Sequence, residues 1–315
     1  MEALRYPDCV WSLPLLFTDS ILTEDILDFL FREMHINVND NFVYYGHVRC
    51  QWGAGRISVI RDKVDLTELE TNLKTIRNKG IIPSFTFSNY HLKKKDLNDE
   101  YCNEILDLAV SLGCQFIVSS SVLCNHIRKR YPDAFITCSI IKYMNELTDF
   151  YSIKALNKYS NKMLKKFNKI VISLNPDQFD ELRKKPKLIK NTQNMELMVN
   201  HICPRVVYGD ITDAMKTYTR FEQVELGKME NKIYKNCCSC GKSIYERLNS
   251  LLDYTEKDLD FIVNELNIKH LKIQGRDLPE IMKLFSILTY VFNTIGPAQD
   301  AITIALSRKI KLNKD

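Results

Sequence analysis

The chain has 315 residues, 45% of them apolar and 26% charged, with a net charge of +5, a composition that buries a substantial core and excludes a mainly disordered chain. No run approaches the roughly 18 to 20 uninterrupted apolar residues a membrane span needs, and no basic stretch leads into an apolar one at the start, so a cytoplasmic protein without membrane contact is expected. Ten cysteines in that setting point to burial or metal binding before disulfides.

In chain order, residues 11–17 read as a first strand, and residues 25–34 as a helix with Ile26, Leu27, Phe29 and Leu30 on one side and Thr23 as its cap. Strand two follows at 42–48, then a helix at 65–77, strand three at 81–87 and a helix at 99–112 that Gly113 ends. Strand four is expected at 115–118, a short helix at 122–130, strand five at 134–140 and a long helix at 147–167. Strand six spans 169–174, Asn175 and Pro176 open the next helix, and strand seven spans 195–202. Thr255 caps a helix at 256–266 with Asp258 in the capping-box position, strand eight covers 268–273, and a last helix starts after Asp277, with Pro279 in its first turn.

Strand and helix thus alternate eight times, and the strands are as apolar as parallel strands covered on both faces must be. The expected architecture is a single TIM-like (βα)8 barrel over 1–315, with an irregular insertion at 203–252 after strand seven. A basic run at 151–190 reads either as solvated helix faces or as a patch for phosphate or nucleic acid.

Cys9, Cys102, Cys114, Cys124 and Cys138 fall in or beside regular elements, where free cysteine packs as a small apolar residue. Cys50, Cys203, Cys237, Cys238 and Cys240 instead follow the carboxyl ends of strands, the end at which barrel sites form. The run Asn-Cys-Cys-Ser-Cys-Gly holds both a C-x-x-C and a C-x-C pair, and Ser239 and Gly241 permit a tight backbone that presents thiolates to one centre. Cys203 supplies a third sulfur and Cys50 a fourth. A 4Fe-4S cluster uses about four thiolates, whereas zinc is satisfied with Cys203, the late cysteines and His201.

Three segments together resemble the collagenase-like peptidase family U-thirty-two (U32). They are Asn200-His201-Ile202-Cys203 with the later cysteine run, the stretch from Lys269 to Arg276 containing Lys-Ile-Gln-Gly-Arg, and the turn Gly53-Ala54-Gly55-Arg56. The resemblance implies a βα barrel and, as in many members, a 4Fe-4S cluster on cysteines after a late strand. Some members are described as peptidases, and others take part in oxygen-independent hydroxylation of quinone precursors or of RNA bases. The chain departs from the family pattern in lacking a second cysteine shortly after Cys203 and in compressing its late cysteines, so Cys50 and either of Cys237 and Cys238 are the open ligand positions.

Around the expected mouth, Lys272 and Arg276 flank the end of strand eight and could hold a phosphate or carboxylate, with Gln274 orienting the same ligand and Arg56 as a comparable clamp. Lys272 reads equally as an interior residue paired with an acid. His47, Asn89, His91 and His201 stand near strand ends as proton carriers, substrate contacts or hydrogen-bonded structural residues. No G-x-S-x-G turn, H-E-x-x-H helix or glycine-rich phosphate loop occurs. Ser119, Ser120 and Ser121 show no partner base and read as a helix cap or polar mouth segment, while Cys50 is the available thiol nucleophile. The leading expectation is an iron-sulfur enzyme that modifies a small molecule, an RNA base or a peptide. A peptidase-like hydrolase and a non-catalytic, metal-stabilised partner subunit are the other two.

Overall fold

Strands β1 (Val10–Leu16), β2 (Phe42–Gly46), β3 (Ile82–Phe87) and β4 (Gln115–Val118) are followed by β5 (Ile136–Cys138), β6 (Lys169–Ile172), β7 (Met195–Met198) and β8 (His270–Lys272). Each pairs in parallel with the next, and β8 closes on β1 to complete the barrel. This is the expected (βα)8 architecture. The computed structural model describes residues 3–17, 21–53, 63–147, 149, 152–174, 176–200, 254–275 and 280–293. The expected 203–252 insertion lies outside them.

Among the described residues the helices are α1 (Ile21–Glu33), α2 (Leu66–Asn78), α3 (Glu100–Ser111), α4 (Ser121–Arg130), α5 (Ile140–Glu146), α6 (Ile153–Met163), α7 (Pro176–Lys184), α8 (Glu256–Asp260) and α9 (Glu280–Val291). Side-chain caps fix several starts. Asp65 accepts from the backbone N–H of Thr67 and Glu68, Asp99 from Cys102, and Thr255 and Asp258 form the expected capping box.

One region differs from the sequence expectation. Ile140 and Ile141 extend the β-branched run of strand five, but the Ser139 hydroxyl accepts from the Ile141 N–H at 3.2 Å and starts α5 there. The helix α5 thus occupies Ile140–Glu146, which was expected as strand end and loop, and the long helix expected at 147–167 is shortened to α6, which starts at Ile153 behind its Ser152 cap.

The strand registers divide each strand into two faces. Residues such as Trp11, Leu13, Phe42, Phe85, Phe116, Ile136, Ile170, Leu197 and Leu271 belong to the main buried apolar cluster, together with the inner sides of the helices. Their strand neighbours point the other way. Following paired positions round the barrel, this second set contains Ser12, Val43, Tyr45, Ser84, Thr86, Ile117, Thr137, Lys169, Glu196, His270 and Lys272.

Contacts that skip a strand identify the second face as the lumen. Ser12 on β1 reaches Glu196 on β7, and Lys272 on β8 reaches Tyr45 on β2. Side chains two strands apart converge only on the concave side of a closed sheet. Val43, Tyr45 and Ile117 are buried, yet they stand apart from the main apolar cluster. A TIM barrel is ordinarily filled by branched apolar side chains. This lumen is mixed instead, with Val171 and Met198 beside Glu196 and Lys272 on the same face, and its charged and hydroxyl groups require internal partners or a ligand.

Candidate active site

Deep in the lumen lies a charged group that a buried strand could not carry without partners. Glu196 is 1% exposed and accepts a hydrogen bond from the Ser12 hydroxyl. Burial pushes its carboxyl pKa up, but Lys169, Lys272, the Ser12 hydrogen bond and His270 together outweigh this and leave it at about 2. The Lys169 ammonium lies 3.3 Å from His270 Nδ1. Burial and Lys169 depress the imidazole to about 4, against the opposing pull of Glu196, so His270 is neutral at physiological pH. Among the described residues, two lysines thus face this carboxylate.

Lys272 sits nearer the mouth, with Nζ 3.2 Å from the centroid of the Tyr45 ring. The Tyr45 hydroxyl donates to the Ile273 carbonyl at 2.7 Å and fixes the ring under the ammonium. Lys272 is an interior residue whose charge acts on Glu196, and it also faces the mouth.

Above this layer, positions one or two residues beyond the strand ends form a polar rim. It comprises His47, Ser88, Ser119, Ser139, Asn200 and Gln274, and all but Gln274 are buried. The backbone ladder continues into the rim, since the Ser119 N–H donates to the Phe87 carbonyl at 3.1 Å and the Ser139 N–H to the Val118 carbonyl at 3.0 Å. Asn200 pairs with the Gln274 backbone like an added ladder residue. Its Nδ2 donates to the Gln274 carbonyl at 2.8 Å, and its Oδ1 accepts from the Gln274 N–H at 2.6 Å.

Of the residues singled out in the sequence, His47 and Gln274 are in this rim and Lys272 is just below it. Asn89 follows β3 but has its side chain engaged with the backbone. It donates to the Gln51 carbonyl at 3.0 Å and accepts from the His91 N–H at 3.1 Å, tying the loop after β2 to the loop after β3. The His91 ring packs edge-on to Tyr90. Arg56, His201 and Arg276 lie outside the described residues, as do Cys203, Cys237, Cys238 and Cys240.

Cys50 is buried, as are Cys9, Cys102, Cys114, Cys124 and Cys138. Hydrogen bonds from the Cys102 side chain and from the Gly53 and Trp52 N–H groups hold its thiol below the ordinary value, against the effect of burial. Its sulfur is thus directed at the start of α3. Among the described residues no three His, Cys, Asp or Glu side chains are grouped to hold a metal.

Sequence reasoning missed a second cluster at the same end of the barrel. The Lys142 ammonium on α5 is 2% exposed, donates to Ser121 Oγ at 2.8 Å, and forms an ion pair with Glu146. The Tyr90 hydroxyl donates to the same carboxylate at 3.3 Å. The i,i+4 spacing of Lys142 and Glu146 was the available signal, but the expected strand at 134–140 and helix from 147 left both in a loop. Ser120, the middle serine, caps α4 by accepting from Val122 and Leu123 N–H, while Ser121 has in Lys142 the partner that its sequence context did not show. Lys169 was counted with the surface run at 151–190 and belongs to the lumen, whereas Lys154, Lys158, Lys165, Lys166, Lys184, Lys185, Lys187 and Lys190 of that run are exposed.

These features define a (βα)8 barrel with charged groups in its lumen and a candidate site at its carboxyl-end mouth. No family model matches the sequence, and no curated protein does. Among solved structures, the U32 peptidase Mk0906 is similar with a TM-score of 0.47 and 12% identity, over 86% of this chain and 94% of that one. Among the described residues no helix is long and apolar enough to cross a membrane.

Proposed function

We propose that the chain is an enzyme of U32 type that binds a small polar substrate, or the reactive part of an RNA base or peptide, at the barrel mouth. Its chemistry in this reading is redox modification such as hydroxylation, in which an oxygen-donating co-substrate gives the oxygen and takes up the two electrons that the substrate loses, and a 4Fe-4S cluster, when bound, would relay those electrons. The observation that carries the site is the polar rim over a lumen with two lysines and one carboxylate. A closed barrel has no structural need for such an interior.

The residues in view have roles that do not depend on the cluster. Lys272, fixed over Tyr45, favours negative charge at the mouth. Gln274, held by Asn200, presents an amide beside it. His47 stands in the same rim as a proton carrier. The low-dielectric walls strengthen each of these interactions.

The described residues do not make a cluster site by themselves, because Cys50 is turned to Cys102 and the other proposed thiolates lie outside them. No step is therefore routed through the cluster. The support for it is the sequence, in which Cys203 follows the rim residue Asn200 by three positions. Anaerobic purification with iron, sulfide and zinc analysis tests the reading. Iron with matching labile sulfide, lost in Cys203→Ala and kept in Cys50→Ala, is expected. Colourless, iron-free protein overturns it, and zinc alone makes the metal structural.

A peptidase-like hydrolase is the second reading, favoured by the 2.8 Å contact between Lys142 and Ser121. With Glu146 paired to it, the ammonium donates to the serine oxygen and does not accept its proton. Serine attack would require release of that pair. Labelling of Ser121 by a fluorophosphonate probe, absent in Ser121→Ala, is the result that would favour this reading over the first.

A further inference from the structure

On the β3–β4 side of the mouth, three hydroxyls stand without hydrogen-bond partners among the described residues. They are Thr86 Oγ1, Ser88 Oγ and Ser119 Oγ. The residues are 3%, 1% and 0% exposed, so bulk water does not satisfy them. A buried hydroxyl without a partner loses its hydrogen bonds to water with nothing in return. Three in one sector need an explanation beyond chance packing.

Their positions converge. Phe87 pairs with Val118 in the β3–β4 ladder, and the Ser119 N–H bond to Phe87 carries the register one step on, which sets Ser88 opposite Ser119. Thr86 is two residues before Ser88 on the same face. Neighbouring strands are about 4.8 Å apart and two residues along a strand span about 6.6 Å, so the three oxygens can surround one small group. Ser139, next to Ser119 on β5, uses its oxygen to accept from the Ile141 N–H. Its hydroxyl proton remains available to the same row.

The sign of the bound group follows from the surroundings. Hydroxyls both donate and accept, so by themselves they do not select charge. Among the described residues, the lumen beneath them holds Lys169 and Lys272 around Glu196, with His270 neutral. That field favours an acceptor group with negative charge and disfavours a cation. Dry hydroxyl donors aimed at oxygen in such a field are worth more than in water.

We infer that Thr86, Ser88 and Ser119 form an oxyanion subsite that holds the carboxylate or phosphoryl group of the substrate against the β3–β4 wall. The inference rests on the reading of the mouth as the substrate site and narrows the substrate to an anionic molecule. It is independent of which metal, if any, the cysteines bind.

The test uses the full chain. Inorganic phosphate and acetate are titrated separately against a chloride control of equal ionic strength, with binding followed by calorimetry and by the shift in melting temperature. A saturable response to phosphate assigns a phosphoryl group, and one to acetate assigns a carboxylate. Ser88→Ala and Ser119→Ala should each weaken that response by about tenfold or more, since a hydrogen bond to a charged group is lost. Without anion, both variants and Thr86→Val should be at least as stable as the parent, because an unpartnered buried hydroxyl has been removed.

Variants that bind like the parent overturn the subsite, as does the absence of any response above chloride. Variants that lose stability without anion also overturn it, since the hydroxyls then serve the fold. Phosphate binding by iron-free protein would leave the subsite standing while the redox reading fails, and iron without anion binding would do the reverse.

Discussion

Glu196 on β7 accepts the hydroxyl proton of Ser12 on β1 across the lumen, past the intervening strand β8. The contact joins the two ends of the sheet at the seam where the barrel closes. It also places a carboxylate between Lys169 and Lys272, so the closure and the electrostatics of the site share one residue.

Acid should therefore withdraw two contributions to stability, an upper one from His270 and a lower one from Glu196. The folded His270 pKa of about 4 lies below its ordinary 6.5, so the unfolded chain binds more protons as pH falls, and stability is lost from about 6.5 towards 4. Glu196, at about 2 in the folded state against 4.5 ordinarily, contributes stability that is present above 4.5 and lost as pH falls towards 2. At neutral pH that contribution is on the order of 3 kcal/mol. Burial holds the Glu24 carboxyl up at about 7, so its protonation adds stability over the same upper range and offsets the His270 loss. The difference in urea midpoints between parent and His270→Gln, measured against pH, should isolate the upper contribution. Glu196→Gln should remove the lower and weaken the protein at pH 7, because two buried lysines lose their carboxylate; an unchanged pH profile in Glu196→Gln would refute the linkage.

The barrel was legible in the sequence because eight apolar runs alternate with helical patterns, and parallel strands joined by helices have few ways to close. The lumen was not. Lys169 and Glu196 each stand in a four-residue strand of otherwise apolar residues, and such a charge shows its meaning only when the register brings its partners alongside. Ser12, Tyr45 and His270 become site residues through contacts two strands away. His47, Lys272 and Gln274 could be placed near the mouth from the sequence because strand-end positions can be read from the strands themselves. Lys142 was missed because Ser139 starts a helix at Ile140, where the sequence reads as the end of a strand followed by a loop.

The Lys142–Glu146 pair predicts an asymmetric cost. Glu146 keeps a second partner in Lys162 at 3.6 Å and its side chain is 20% exposed, so Lys142→Met should cost only about 2 kcal/mol. Glu146→Gln strands an ammonium that is 2% exposed and should cost about 3 to 5 kcal/mol. The double change Lys142→Met with Glu146→Leu should recover most of that loss. Denaturant midpoints of the three variants give the comparison, and equal costs for the two single changes would contradict the burial argument.

Asn200 holds the rim between β7 and β8 through both of its amide atoms. Asn200→Ala leaves the Gln274 N–H and carbonyl without these partners and should destabilise by about 2 kcal/mol. The loss should be local first. Amide exchange in residues 270–275 should quicken before that of β3 and β4, whose pairing does not involve Asn200. Uniform exchange throughout the barrel would show that Asn200 acts on global stability and not on the rim.

Gly46 ends β2 one residue before His47, at the irregular pairing of β1 with β2 opposite Leu16. A Cβ placed there would lie 1.8 Å from the Leu16 carbonyl oxygen and 2.7 Å from its carbonyl carbon. The obstacle is backbone in a closed sheet, so no side-chain rotation relieves it. Gly46→Ala should force β1 and β2 apart at the mouth and cost at least about 3 kcal/mol, beyond the usual penalty for an added methyl group. By contrast, Gly113→Ala has open space around its Cβ but requires a φ of 68°, so its cost should be limited to backbone strain of about 1 to 2 kcal/mol. Measuring both separates steric closure at the mouth from conformational preference in a turn. A Gly46→Ala protein as stable as Gly113→Ala would mean that the β1–β2 junction yields where the closed barrel requires it to be rigid.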